Sequence, residues 1–427
     1  MKASYDVVVI GAGMAGLTAA RALSKAQKRV LVLEAASRVG GRIWTVPGIM
    51  GALPSELGAE FVHGEPEVTV RLAREAGIEL IPLTERHVVK DGSTFRALPD
   101  PWQTLAAVVE RVQPQDEDTD ARTFLEENVL EAGTRERVRQ LVEGFEAAPL
   151  SEISIRSLFS DARAHSKDES QYRVRGGYGA LVDYCLERLL EARVEVRLRS
   201  RVTLVKWQIR GPVELRVAGA ELEVRARTCI VTVPLPILQD QESLRFEPAV
   251  RALQEPLAQR GMGQAARVML QFPRDFAEHA APRNAFIHCP SALFETFWAD
   301  QNERFVQWTA WAGGPKAAEL ARESNEQRKH LALASLGQVL GLPEATLSAS
   351  LVCPIQHHDY SNDEHIRGAY SFSRPGGVSA AEALSAVVGS ALFFAGEATD
   401  REYSGTVAGA IASGERAARQ ALSVLGR

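Results

Sequence analysis

The chain is poor in cysteine. Only Cys185, Cys229, Cys289 and Cys353 occur in 427 residues, far apart and with no CxxC pair. That argues against a disulfide framework or a zinc site and reads as four thiols in a reducing compartment. No stretch approaches the roughly 18 uninterrupted apolar residues of a membrane helix. The opening MKASYDVVVIG enters a strand at once, with no separate apolar segment and cleavage site. These features lead us to expect a cytoplasmic protein. Basic residues are not in excess: 49 Lys and Arg face 54 Asp and Glu, a formal charge of −5. A nucleic-acid partner, which needs clustered Lys and Arg, is therefore not expected. No internal repeat, low-complexity segment or second GxGxxG is present. The chain is 45% apolar and 24% charged, a globular composition, and its length suggests two domains or three.

Tyr5–Ile10 reads as a buried strand, Gly11–Gly16 as a turn, Leu17–Ala26 as a helix and Arg29–Leu33 as a second strand. Such a β-α-β unit implies a parallel sheet. Residues 66 to 190 read mainly helical, with three-to-four spacing in Val68–Ala76, Trp102–Val112, Thr123–Ala132 and Arg135–Phe145. The acidic run Asp116, Glu117, Asp118, Asp120 is expected to be a solvated loop that caps the next helix. After Val194 the period shifts toward two. Strands are expected at Val194–Leu198, Val202–Gln208, Val213–Val217, Leu222–Ala226, Cys229–Val233, Ala266–Phe272, Phe286–His288, Phe294–Trp298, Phe305–Trp311 and Ala391–Ala395. Helices are expected at Gln327–Leu340 and Thr406–Val424.

Gly11-Ala-Gly13-Met14-Ala15-Gly16 carries the GxGxxG spacing between a strand and a helix. The glycines suit a tight turn, close approach of backbone to a pyrophosphate, and close helix–strand packing; the helix start directs N–H groups at phosphate. Glu34 closes the second strand, where a carboxylate accepts both ribose hydroxyls and repels a 2′-phosphate. NADP is thereby disfavoured, and NAD and FAD remain. Arg38-Val-Gly-Gly41-Arg42 then offers two arginines around a glycine pair beside the pyrophosphate.

Three segments resemble the FAD-dependent amine oxidases, the group of monoamine, polyamine and L-amino-acid oxidases and flavin histone demethylases. They are Glu34 to Arg42, Leu57-Gly58-Ala59-Glu60-Phe61-Val62-His63-Gly64, and Phe394-Ala-Gly396-Glu397 through Tyr403, Gly405, Thr406, Val407 and Gly409 to Gly414. The likeness runs from about residue 5 to 418. It implies an α/β fold: a Rossmann-like, glutathione-reductase-type FAD domain with a parallel sheet, plus an α+β substrate domain of mixed sheet and helices. The FAD domain is expected from 1–64, 177–235 and 390–427, the substrate domain from 65–176 and 236–389. Beyond the residues already named, Gly58, Ala59, Glu60, Val202, Gly396, Glu397, Thr406 and Val407 are expected at the cofactor.

The resemblance further implies hydride transfer from a neutral amine to flavin N5, then hydrolysis of the imine. Oxygen or another acceptor would reoxidise the flavin. Tyr370, in Arg367-Gly-Ala369-Tyr370-Ser371, matches an aromatic wall beside the flavin. Ala369 stands where monoamine oxidases carry the cysteine that bonds it, so non-covalent FAD is expected. Thr406 occupies the position of the opposite aromatic wall. Arg267, in Gly261-Met-Gly263-Gln-Ala-Ala-Arg267, replaces the family's active-site lysine. It could bind a substrate carboxylate, take the lysine's place, or form a structural ion pair, and the first two uses lead. Tyr360 stands for the tryptophan of a W-x2-D-x4-G pattern that continues through Asp363 and Gly368. That match accounts for His357, His358 and His365 without a metal. His63 either tunes amine protonation or is a hydrogen-bonded histidine at a domain edge. The aromatic group Phe294, Phe297, Trp298, Phe305, Trp308 and Trp311 is expected to be mostly core. The chain stops just after its last helix, so the membrane tail of monoamine oxidases is not expected. A small-molecule amine is the expected partner. A C–C desaturase or protoporphyrinogen-type oxidase, or a silent FAD-binding protein, are the rival readings.

Overall fold

Val7, Val8 and Val9 are fully buried, and their alternation sets the first layer of the fold. In the computed structural model Val7 and Val9 pack toward helices, while Val8 and Ile10 pack toward a β meander. A strand covered on both faces reads as a continuous apolar run. The described residues are 4–48, 51–83, 86–99, 101–110, 117–128, 132–165, 170–219 and 223–426.

Ser4–Ile10 lies parallel to Val30–Leu33 on one side and to Glu223–Val231 on the other. Glu195–Arg197 extends the sheet beyond Val30–Leu33, and Leu392–Phe394 pairs with Cys229, Ile230 and Val231. These five strands are all parallel. Three more complete the sheet: Val213–Val217 and Val202–Lys206 run antiparallel, and Arg245–Glu247 closes the edge. Glu223–Val231 thus changes neighbours along its length, so the expected strands Leu222–Ala226 and Cys229–Val233 are one strand. Met14–Lys25, Gly179–Glu191 and Val407–Leu425 cover one face through Leu17, Leu23, Leu181, Leu189, Ile411 and Ala421. Each fully buried leucine or isoleucine of this set contributes about 1.5–3 kcal/mol. The result is an α/β, Rossmann-like fold.

A second, seven-stranded sheet has the order Gln356–His357, Ala265–Pro273, Phe305–Gly313, Thr296–Gln301, Phe286–His288, His87–Asp91, Thr94–Ala97. It is mixed, because Phe286–His288 and His87–Asp91 are parallel while the other neighbours are antiparallel. Val268, Leu270 and Phe272 pack against Gly314–Leu320 and Asn325–Leu340. Arg267, one residue out of phase, takes the opposite face. A helical cluster of Pro101–Val109, Ala121–Glu127, Ala132–Phe145 and Ile155–His165 stands on that side.

Several expectations change. The stretch from 66 to 190 is interrupted by Leu80–Leu83, His87–Asp91, Thr94–Ala97 and Gln171–Val174. The helix expected at Trp102–Val112 is observed as Pro101–Val109, and 111–116 lie outside the described residues, Asp116 among them. The helix expected at Thr123–Ala132 is observed as Ala121–Glu127. Asp120 caps it, accepting from Thr123 N at 3.0 Å. Arg245–Glu247, within the expected substrate segment 236–389, is an edge strand of the Rossmann-like sheet. Among the described residues no helix is long and apolar enough to cross a membrane.

Candidate active site

The glycine-rich turn is shaped by two close approaches. Gly11 has φ +103°, and a Cβ there would lie 2.6 Å from Thr232 Oγ1. Gly16 sits inside the first helical turn, where a Cβ would come within 2.0 Å of the Gly11 carbonyl oxygen. Gly16 therefore packs helix on strand and is absent from the cavity wall. At Gly13 a Cβ would meet nothing within 4 Å, because this residue faces the cavity. Gly13 is also the N-cap of Met14–Lys25 and supplies no side-chain cap. The first-turn N–H groups at Met14 and Ala15 are left for a ligand, and the helix dipole favours an anion. Glu34 is 9% exposed and already accepts from Ala12 N at 2.7 Å and Ala36 N at 2.8 Å. These bonds fix its carboxylate at the cavity edge, with lone pairs left over for hydroxyl donors.

Arg38, expected to offer charge beside a pyrophosphate, borders the cavity with its N–H donors engaged by the backbone. Its guanidinium donates to the carbonyls of Val39, Gly41 and Ile43 and lies 4.3 Å from the Trp44 ring. It holds the shape of the loop that carries Gly41 and Arg42. Arg42 reaches the other end of the chain, donating to the Ala369 carbonyl at 2.7 Å and to Glu397 at 2.8 Å. Glu397 is buried and also accepts from Ser371 Oγ and Gly405 N. Burial alone would raise its pKa, but Arg42 and the Ser371 hydroxyl hold it below the ordinary glutamate range. One carboxylate thus ties the Arg42 loop, 355 residues away in the chain, to the Ser371 strand and the Gly405 turn. Gly396, with φ +132°, faces open space at Cβ.

Glu60 was expected at the cofactor and Arg267 at the substrate; the structure pairs them with each other at 2.7 Å. Arg267 also donates to the carbonyls of Glu56 and Gly58, and its guanidinium lies over both Trp298 and Trp311, 5.2 and 5.5 Å from their rings. Of its three candidate uses, the ion pair is the one it makes. Glu60 is saturated by Arg173, Arg267 and the Trp298 indole N–H. Burial pushes its pKa up, and the two guanidiniums outweigh burial and lower it. Both side chains still contribute to the cavity wall. Nearby, burial raises Glu56 to about 7, although the Thr45 hydroxyl and Tyr178 N favour its charged form.

Tyr360 is buried against His358, ring to ring at 4.5 Å, and burial moves its hydroxyl up to about 12. Its hydroxyl would stand 3.0 Å from a Cβ at Gly58. His358 is paired with Asp363 at 2.9 Å. The Tyr370 hydroxyl donates to the Phe145 carbonyl, and burial raises its pKa well above the ordinary tyrosine value. Phe145 stacks edge-on with Trp102 at 4.7 Å and with His63 at 5.5 Å. Thr406 is the N-cap of Val407–Leu425, its Oγ1 accepting from Gly409 N at 3.1 Å. The N–H groups of Val407 and Ala408 remain at the helix tip beside the cavity.

All these parts line one cavity of about 1150 Å³. Gly11, Gly13, Met14, Ala15, Glu34, Arg38, Gly41, Arg42, Gly58, Ala59, Glu60, Val202, Gly396, Glu397, Thr406 and Val407 border it, as do His63, Arg267, Tyr360 and Tyr370. The volume exceeds the usual 300–1,000 Å³ of a small-ligand site, and with the uncapped helix tip and the open side of Gly13 it fits an extended dinucleotide plus a second molecule. Sequence reasoning missed Arg260, Glu146 and Asp161, which also line it. Arg260 is buried and donates to Ser371, Ser373 and Ser404. A lone arginine or glutamate in an apolar run carries no periodic signal of such a placement.

Among curated proteins the chain is 26% identical to polyamine oxidase 4 of Oryza sativa subsp. japonica, covering 97% of this chain and 88% of that protein. It is 25% identical to flavin-containing amine oxidase A of Bos taurus, over 99% and 86%. It is also 26% identical to human lysine-specific histone demethylase 2, of which it spans about half, 53%. Among solved structures, wild-type putrescine oxidase bound to putrescine superposes with TM-score 0.80 at 23% identity, covering 99% of each chain. Cyclohexylamine oxidase from Brevibacterium oxydans IH-35A gives 0.82 at 21%, covering 99% and 100%. The family model for flavin containing amine oxidoreductases matches residues 14–422, nearly the whole chain from the glycine cradle to the last helix, and the protein belongs to that family.

Proposed function

We propose that the protein binds FAD non-covalently and oxidises a primary or secondary amine, transferring hydride to the flavin and releasing an imine that water hydrolyses. The observation that carries this reading is the continuity of the cavity. The nucleotide cradle at Gly13 and Glu34 opens without a wall into an aromatic chamber at Tyr370, Phe145 and Trp298. When bound, FAD supplies the two-electron acceptor.

The chain's own residues bind, orient and exclude water. The helix tip at Met14 suits the pyrophosphate and Glu34 the ribose. The tip at Val407 suits the edge of the ring system where negative charge develops on reduction. Ala369 presents only a methyl group, and none of the four cysteines lines the cavity, which supports non-covalent attachment. Tyr370 stays neutral, its hydroxyl occupied by the Phe145 carbonyl, and so acts as a ring wall and takes no part as a base. Arg267 has its charge spent on Glu60 and two carbonyls and acts as a positioning residue for the Gly58 turn.

Anaerobic addition of polyamines, aromatic monoamines and amino acids tests this. The flavin absorbance band should bleach with one class and recover in air at a rate that separates an oxidase from a dehydrogenase. Bound flavin that no amine bleaches would overturn amine oxidation and favour a desaturase or a silent flavoprotein.

A further inference from the structure

One corner of the cavity contains acid without a counter-charge. Glu146 and Asp161 both border it. Glu146 follows Phe145, which receives the Tyr370 hydroxyl, and its carboxyl lies close enough to raise the Tyr370 pKa. It keeps surface open to the cavity while protein encloses it. Among the described residues its carboxyl has no hydrogen-bond or ion-pair partner. Asp161, on Ile155–His165, receives the Ser157 hydroxyl at 3.4 Å and the field of Arg260. Arg260 is committed to three serine hydroxyls and is also attracted by Glu397. The series Arg260, Asp161, Glu146 therefore ends on an uncompensated carboxyl. Burial raises both acids, and the neighbouring Asp161 carboxylate further opposes ionisation of Glu146.

An enclosed carboxyl with no partner is costly unless it is protonated or meets a cation. The walls beside it suit a cation: Phe145, Trp102, Tyr370 and His63 present rings around the same space, and ring faces attract ammonium groups. The nitrogen that reacts is not the one it suits. That nitrogen must offer its lone pair to form C=N as hydride leaves its carbon, and a carboxylate beside it would hold it protonated. We propose that Glu146, backed by Asp161, receives a second ammonium of the substrate, so that the protein acts on diamines or longer polyamines. This rests on the amine-oxidising reading above. The second nitrogen takes no part in the redox step: hydride and its electron pair pass from the reacting carbon to the flavin, and any proton on Glu146 leaves to solvent as the ammonium arrives.

The test compares an α,ω-diamine with the n-alkyl monoamine of equal length on the flavin-loaded protein. The wild type should prefer the diamine in kcat/KM. Glu146→Gln should lower the diamine-to-monoamine ratio by about 10- to 100-fold, as expected for losing a hydrogen bond to a charged group. Asp161→Asn should lower it less. If Glu146→Gln does not retain flavin, Glu146→Asp replaces it: the retracted carboxyl should shift the preferred diamine to a longer chain. No diamine preference in the wild type, an equal loss for both amines in E146Q, or an unmoved length optimum in E146D overturns the proposal while amine oxidation stands. Failure of every amine to reduce the flavin removes the parent reading and this proposal with it.

Discussion

The Glu60 network makes a sharp claim about asymmetry. Glu60 is the anion for two enclosed guanidiniums: Arg267, whose side chain is 7% exposed, and Arg173, at 18%. Glu60→Gln keeps the shape but strands Arg267 and leaves Arg173 with only the more distant Asp300, 3.8 Å away. Removing one partner of a buried ion pair costs about 3–5 kcal/mol, and here the upper end is expected. Arg267→Met removes a cation yet leaves Glu60 with Arg173 and the Trp298 indole. Its losses are two carbonyl hydrogen bonds and the ring contacts. A methionine packs well against the same indoles, so about 2–3 kcal/mol is expected. The double variant should cost less than the sum by about 1–3 kcal/mol, because E60Q no longer strands Arg267. Urea midpoints at saturating flavin, with m-values compared, measure all three. An R267M penalty equal to or above that of E60Q, or additivity within about 0.5 kcal/mol, would show that Arg267 is not held chiefly by Glu60.

Two further outcomes follow from the geometry. Gly16→Ala places a methyl carbon within 2.0 Å of the Gly11 carbonyl, so the helix must move off the strand; overpacking of this kind costs about 1–3 kcal/mol or more, and purified G16A should have lost most of its flavin absorbance. For Glu56 the unfolded chain releases its proton near 4.5 and the folded protein near 7; between these pH values the folded state binds more protons, so stability falls as pH rises through the window and is level outside it. At about 1.4 kcal/mol per pH unit this is roughly 3 kcal/mol, and the stability difference between wild type and Glu56→Gln should carry that slope between pH 4.5 and 7; parallel curves there would refute it.

Parts of the fold were legible because they are local. Three consecutive valines, a glycine triplet and Glu34 specify the β-α-β unit within 34 residues. The edges moved: Gly16 proved helical, since a helix start at an uncapped glycine gives no polar cap to read. Leu222–Ala226 and Cys229–Val233 read as two strands separated by Arg227 and Thr228; in the sheet Arg227 sits on the exposed face between buried residues, as Arg225 does, and the strand runs through. Phe61–His63 and Gln171–Val174 carry no periodic pattern of their own, because each is short and they pair with each other across more than a hundred residues of chain.

The sequence alone determined the glycine-rich turn, its helix and Glu34 at the strand end, since these are properties of neighbours in the chain. It also determined the family, through motifs at both ends. Only the tertiary structure decided how the charges are used. Arg267 reads as a candidate for substrate until Glu60 is found 2.7 Å away. Arg38 reads as charge for the pyrophosphate until three carbonyls claim it, and Glu146 carries no signal at all until the cavity opens in front of it. Whether a charged side chain is spent or available depends on distances between residues far apart in the chain and on their removal from water, and neither is a property of local sequence.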